Sequence, residues 1–178
     1  MGRWILLGIL LLYVVWLVFG YQYHFLDGVN LLLHEAGHVF FGFFGQTMQF
    51  LGGTLGQLAF PAMFFAYFWR KRQRFEAFVV GIWLCESFMY TAEYMADARA
   101  MRLPLVGGHI HDWNWLLARL GLLRQAEELG QALHVIASLG AIAFLIMLAR
   151  ELKRAPLREP TESPSATRTD RKRTPSQG

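Results

Sequence analysis

Residues 4–20 carry no charged side chain, and Arg3 stands immediately before them. Further apolar runs occupy 54–69, 75–98 and 131–149. Apolar runs of this length bury themselves most readily as helices across a bilayer. The chain has 178 residues, 54% of them hydrophobic, which exceeds the roughly 45–50% of an ordinary soluble domain. The spacing predicts an all-α fold, a polytopic membrane helix bundle of about five transmembrane helices. The first run is longer than a signal-peptide core, and Phe19-Gly20-Tyr21 is a poor cleavage site, so it reads as a retained helix. Residues 1–150 form the membrane-embedded domain. Residues 151–178 hold four of the six prolines and read as a disordered basic tail.

A further helix is predicted from a start near Asp27 or Asn30, either of which can cap it, to about Phe44. Within it lies Leu33-His34-Glu35-Ala36-Gly37-His38-Val39. Residues four apart share one face of a helix, so His34 and His38 can reach a single metal ion. Glu35, the next residue round, can touch a water on that metal. Two imidazoles and a carboxylate base in this spacing are the zinc-hydrolase pattern, with Zn2+ as cofactor. Ionisable groups in an apolar membrane run are costly and point to function.

Such a site needs a third protein ligand and an open position for water. The best source is Gly107-Gly108-His109-Ile110-His111-Asp112-Trp113. His111 is the first choice, because Asp112 looks like the N-cap of a short helix reaching about Leu123. Asp112 comes second; His109 and Asp97 are further candidates. The helix over 75–98 places Glu86, Tyr90, Glu93 and Asp97 on one stripe. A polar stripe on a membrane helix faces the bundle interior, as a wall of the metal site or as a structural network.

The segment 45–53, Gly-Gln-Thr-Met-Gln-Phe-Leu-Gly-Gly, alternates polar and apolar residues between glycines. It predicts a short strand or re-entrant hairpin, whose edge near Met48–Leu51 can hold an extended peptide, or else a connecting loop. Gly37, Gly42 and Gly45, with Gly52 and Gly56, supply small faces for close helix approach, and Gln57 needs a polar partner in the bundle.

The net charge is +4. The basic residues gather at run ends and in the tail, a topology signal rather than a nucleic-acid surface. Arg70–Arg74 and the tail are expected on the cytoplasmic side of a multi-pass protein, in a bacterial inner membrane. Counting back through the helices then puts the N-terminus on the opposite side, which Arg3 opposes, unless one early segment is re-entrant. The single Cys85 excludes an internal disulfide.

With His34-Glu35-Ala36-Gly37-His38 in a membrane helix, small residues just after it and a later His/Asp motif, residues 25–115 resemble the site-2-protease-like intramembrane zinc metalloproteases. The resemblance implies a zinc endopeptidase that cuts membrane-anchored proteins in the bilayer, with His34 and His38 as ligands and Glu35 as general base. The family's third ligand is an Asp in a Leu-Asp-Gly motif downstream of the zinc helix. Here Leu26-Asp27-Gly28 lies upstream, and the role is not carried onto Asp27. Two alternatives stand beside this reading. One is a non-hydrolytic membrane metal-binding or metal-transport protein built on Glu86, Glu93 and Asp97. The other is a scaffold in which His111 and Asp112 together close the metal.

Overall fold

A computed structural model describes residues 2–106 and 110–154. Six α-helices follow in order: α1 (Gly2–Phe19), α2 (Phe25–Phe41), α3 (Gln46–Arg70), α4 (Arg74–Ala96), α5 (Asp112–Arg119) and α6 (Ala126–Arg154). Single 3-10 turns precede α3 and α6. Among the described residues there is no strand. The fold is all-α, and four helical segments (α1, α3, α4, and α6 with the turn before it) are long and apolar enough to span a membrane.

The core lies where α4 and α6 pack along each other and α1 leans on the pair, mainly on α6. Val14 and Leu17 of α1 pack on Ile82, Cys85 and Met89 of α4 and on Ala137 and Ala141 of α6. Arg3 donates to Glu76 at 2.9 Å, and Arg74 lies 3.6 Å over the Trp69 ring. The start of α1, the end of α3, the start of α4 and Glu151 of α6 therefore meet at one end. Arg3 thus sits at the same end as Arg70–Arg74, and the topological conflict is gone. The reason is α2. At 17 residues it is shorter than the ~20 needed to cross, and it starts beside the middle of α4, where Asp27 and Asn30 meet Glu86. It acts as a part-depth helix between α1 and α3.

The segment 45–53 corrects an expectation. It is neither strand nor hairpin: Gly45, at φ 96°, ends the 3-10 turn, and α3 begins at Gln46. A positive φ is cheap only for glycine, so Gly45 is the hinge. The alternation is overridden by packing, because α3 turns its glycines onto α2. A Cβ on Gly37 would strike the Gly52 carbonyl oxygen, and one on Gly56 would lie 2.7 Å from the Gly37 Cα. Wound into a helix, this segment presents no extended edge to pair with a peptide strand.

The last helix also outruns its expected end, passing Arg150 to reach Arg154. The proposed tail lies, from residue 155 onward, outside the described residues.

Candidate metal centre

Helix α2 presents His34 and His38 on one face, one turn apart, with ring centroids 4.7 Å apart. Their partner arrives from 78 residues along the chain. Asp112 Oδ2 lies 2.9 Å from His34 Nε2 and 3.2 Å from His38 Nε2. The three donor atoms form a compact group that could hold a metal ion. Tetrahedral ligands about 2.0–2.1 Å from zinc stand about 3.3 Å apart, so the spacing fits with small adjustment.

The far side of each ring decides which nitrogen is available. Gln57 Nε2 donates to the Ser87 carbonyl at 3.2 Å and to Thr91 Oγ1 at 2.7 Å. A carbonyl only accepts, so the Gln57 amide is oriented with its oxygen toward His34 Nδ1, 2.9 Å away. His34 therefore carries a proton on Nδ1. His38 Nδ1 lies 2.7 Å from the Gln49 carbonyl oxygen and must be the donor there as well. Both Nε2 atoms are left with lone pairs aimed at a carboxylate. Electron-rich atoms at this separation demand a cation between them, either a second imidazole proton or a metal ion. Gln57 and Gln49 thus make the contacts that would orient the two histidines toward a metal ion. Gln57→Leu is expected to weaken zinc binding by about 10–100-fold, read by competition with a chromophoric chelator. Unchanged affinity would remove this tautomer argument.

Of the residues expected as a third ligand, Asp112 rather than His111 is brought to the two histidines, for a local reason. His111, not Asp112, is the N-cap of α5, its Nδ1 accepting from the Asn114 amide at 3.3 Å. Asp112 is the first residue of the helix and is free to point at the histidines. His111 stacks on Tyr94 at 4.0 Å, its Nε2 3.8 Å from Asp97 Oδ2 and without a hydrogen bond. It lies outside the group formed with His34 and His38. Burial pushes its imidazole below the ordinary value, in keeping with the neutral ring a cap requires. Burial also opposes the charge on Asp112, but contacts with His34 and His38 outweigh it and hold that carboxyl below its usual range.

Asp97 is likewise used elsewhere, accepting from the amides of Arg102 and Leu103 at 3.0 and 2.9 Å. His109 lies outside the described residues. Glu35 does not join the donors. It lines, with His34, His38 and Asp112, a cavity of about 390 Å³. Tyr94 is a participant that sequence reasoning did not assign to the centre; its hydroxyl stands 3.5 Å from Asp112 Oδ2 and takes the Asp112 amide at 3.3 Å.

The polar stripe on α4 divides. Tyr90 and Glu93 reach the cavity. Glu86 is fully buried away from it, with both oxygens held by Asn30 Nδ2 at 2.9–3.0 Å. Glu86 also belongs to a second group, with His24 and Asp27. There His24 Nδ1 is 2.6 Å from Asp27 Oδ2, and His24 Nε2 is 2.6 Å from the Tyr13 hydroxyl. Tyr21 donates to Asp27 Oδ1 at 2.5 Å. These contacts, with the His24 amide donating to Asp27 Oδ2 at 2.8 Å, fix the entry of α2.

Comparison with known protein families, with curated proteins and with solved structures finds no match for this chain.

Proposed function

We propose that this chain is an intramembrane zinc metalloendopeptidase, similar to the site-2-protease-like enzymes, that hydrolyses peptide bonds of membrane-anchored proteins. One observation carries the reading. Two imidazole Nε2 atoms, with their Nδ1 protons committed to Gln57 and Gln49, converge on Asp112 in a cavity that also holds Glu35. His34, His38 and Asp112 are the three protein ligands, which leaves the fourth position open as hydrolysis requires.

Zinc, when bound, supplies a Lewis acid that polarises the scissile carbonyl and acidifies water from a pKa of 15.7 to about 7. Glu35 takes the proton of the attacking water and delivers it to the leaving amide nitrogen. Gln57 and the Gln49 carbonyl hold the two imidazoles in register through the cycle. A helical substrate hides its carbonyls in its own hydrogen bonds and must unwind to be cut. The non-helical stretches that include Tyr21–Tyr23 and 103–106 border the cavity and give an unwound segment somewhere to lie.

Arg3, Arg70–Arg74, Arg150, Lys153 and Arg154 share one end of the bundle, which we propose faces the cytoplasm. The cavity then opens toward the other leaflet, where Tyr21 and Leu103 lie.

The purified protein in detergent is expected to hold about one zinc per chain and to cut a membrane-tethered reporter. Asp112→Ala is expected to lose more than about a hundredfold in zinc affinity, beyond what an outer contact costs. His111→Ala, which removes a helix cap, keeps the zinc. The reverse pattern would reassign the ligand. Zinc-loaded protein that cuts no membrane-anchored peptide would end the enzyme reading.

A further inference from the structure

The cavity beside the candidate metal centre has an unusual charge pattern. Its walls carry Glu35, Glu93 and Asp112, and among the described residues that line it none is Lys or Arg. Zinc with its Asp112 ligand would bring one net positive charge, and Glu35 would cancel it. Glu93 then remains as the uncompensated carboxylate. Among the described residues it enters no ion pair, and it is exposed at the cavity wall one turn from Tyr90. Tyr90 faces Tyr23 across 6.4 Å. Tyrosine faces beside a carboxylate favour a cation, through the ring quadrupole and through Coulomb attraction.

We propose that Glu93, with Tyr23 and Tyr90, forms a subsite that selects a Lys or Arg side chain close to the bond to be cut. The same charge pattern rejects two other occupants. A free C-terminal carboxylate finds no Lys or Arg among the described lining residues, and Glu93 would repel it. A phospholipid amine brings a phosphate, for which the described lining offers no Lys or Arg. The subsite rests on the protease reading for its role but not for its existence, since it needs only the cavity.

The two are separated by measuring binding and cleavage independently. Zinc-loaded Glu35→Gln protein in detergent is titrated with three fluorescent peptides that differ at one position, Lys, norleucine or Glu. The Lys peptide is expected to bind about tenfold tighter than the norleucine peptide, with the Glu peptide weakest. Glu93→Gln, made in the same background, is expected to abolish the discrimination, and Glu93→Lys to turn it toward the Glu peptide. Phosphoethanolamine, the lipid headgroup fragment, is expected to displace the Lys peptide less well than lysine amide does. Equal binding of the three peptides, binding of none, a preference that survives Glu93→Gln, or stronger displacement by phosphoethanolamine would each overturn the subsite. Lys-selective binding without cleavage by the unsubstituted zinc-loaded protein would instead overturn the protease reading and leave the subsite standing.

Discussion

Glu35→Gln is expected to keep its zinc and lose hydrolysis by about 10²–10⁴-fold, the span that a positioned general base contributes. Glutamine preserves the size and the hydrogen-bonding capacity of the side chain but cannot take a proton from water. Glu35 lies outside the group of His34, His38 and Asp112, so the substitution leaves the donor set intact. Metal content by atomic absorption and turnover of a membrane-tethered reporter make the two measurements. The result also divides the readings. A metal transporter built on Glu86 tolerates the change at Glu35 and loses flux with Glu86→Ala instead. Full proteolysis by Glu35→Gln would rule out its role as base.

Gly37→Ala is the second substitution with a large expected effect. Alanine favours a helix over glycine by up to about 1 kcal/mol, so the local tendency is to stabilise α2. The structure predicts the opposite sign. A methyl at Gly37 meets the Gly52 carbonyl oxygen, and its nearest other neighbours are backbone atoms of Gly52 and Gly56. A rigid backbone cannot swing aside as a side chain can, and α2 must move off α3. Overpacking of this kind costs about 3 kcal/mol. The displacement also drags His34 from Gln57 and His38 from the Gln49 carbonyl, so zinc binding falls with stability. Gly8→Ala is the matched control, since nothing lies within 4 Å of its added methyl. Thermal melts in detergent read the difference. Equal melting temperatures for the two variants would show that the α2–α3 contact is not tight.

Much of this arrangement is written locally. The apolar runs give the long helices, and His34, Glu35 and His38 are placed by helical spacing alone. The glycine pattern also speaks directly: Gly37 meets Gly52 and Gly56 as small-residue faces do. Gln57, polar in an apolar helix, announces that it needs a partner, though not that the partner is His34. Other features depend on the whole fold. The alternation at 45–53 carries a strand signal, and only the approach of α2 makes helix the better solution. His111 and Asp112 compete for one cap, and the sequence ranks them by intrinsic preference, which favours Asp. The stacking of His111 on Tyr94 settles the competition the other way, and Tyr94 belongs to a helix that ends well before the pair. The network of Tyr13, His24 and Asp27 joins residues whose roles emerge only when α1 meets the residues leading into α2.

The capping of α5 by His111 has a consequence for the order in which the chain is made. The histidine pair leaves the ribosome early, while the third donor follows 78 residues behind His34. Until α4 is inserted and the cap on α5 has closed, Asp112 cannot reach His34. A nascent chain holds two imidazoles and a base but no competent centre. Under the protease reading proposed above, the donor set is complete only once synthesis has passed Asn114, whose amide closes the cap on α5.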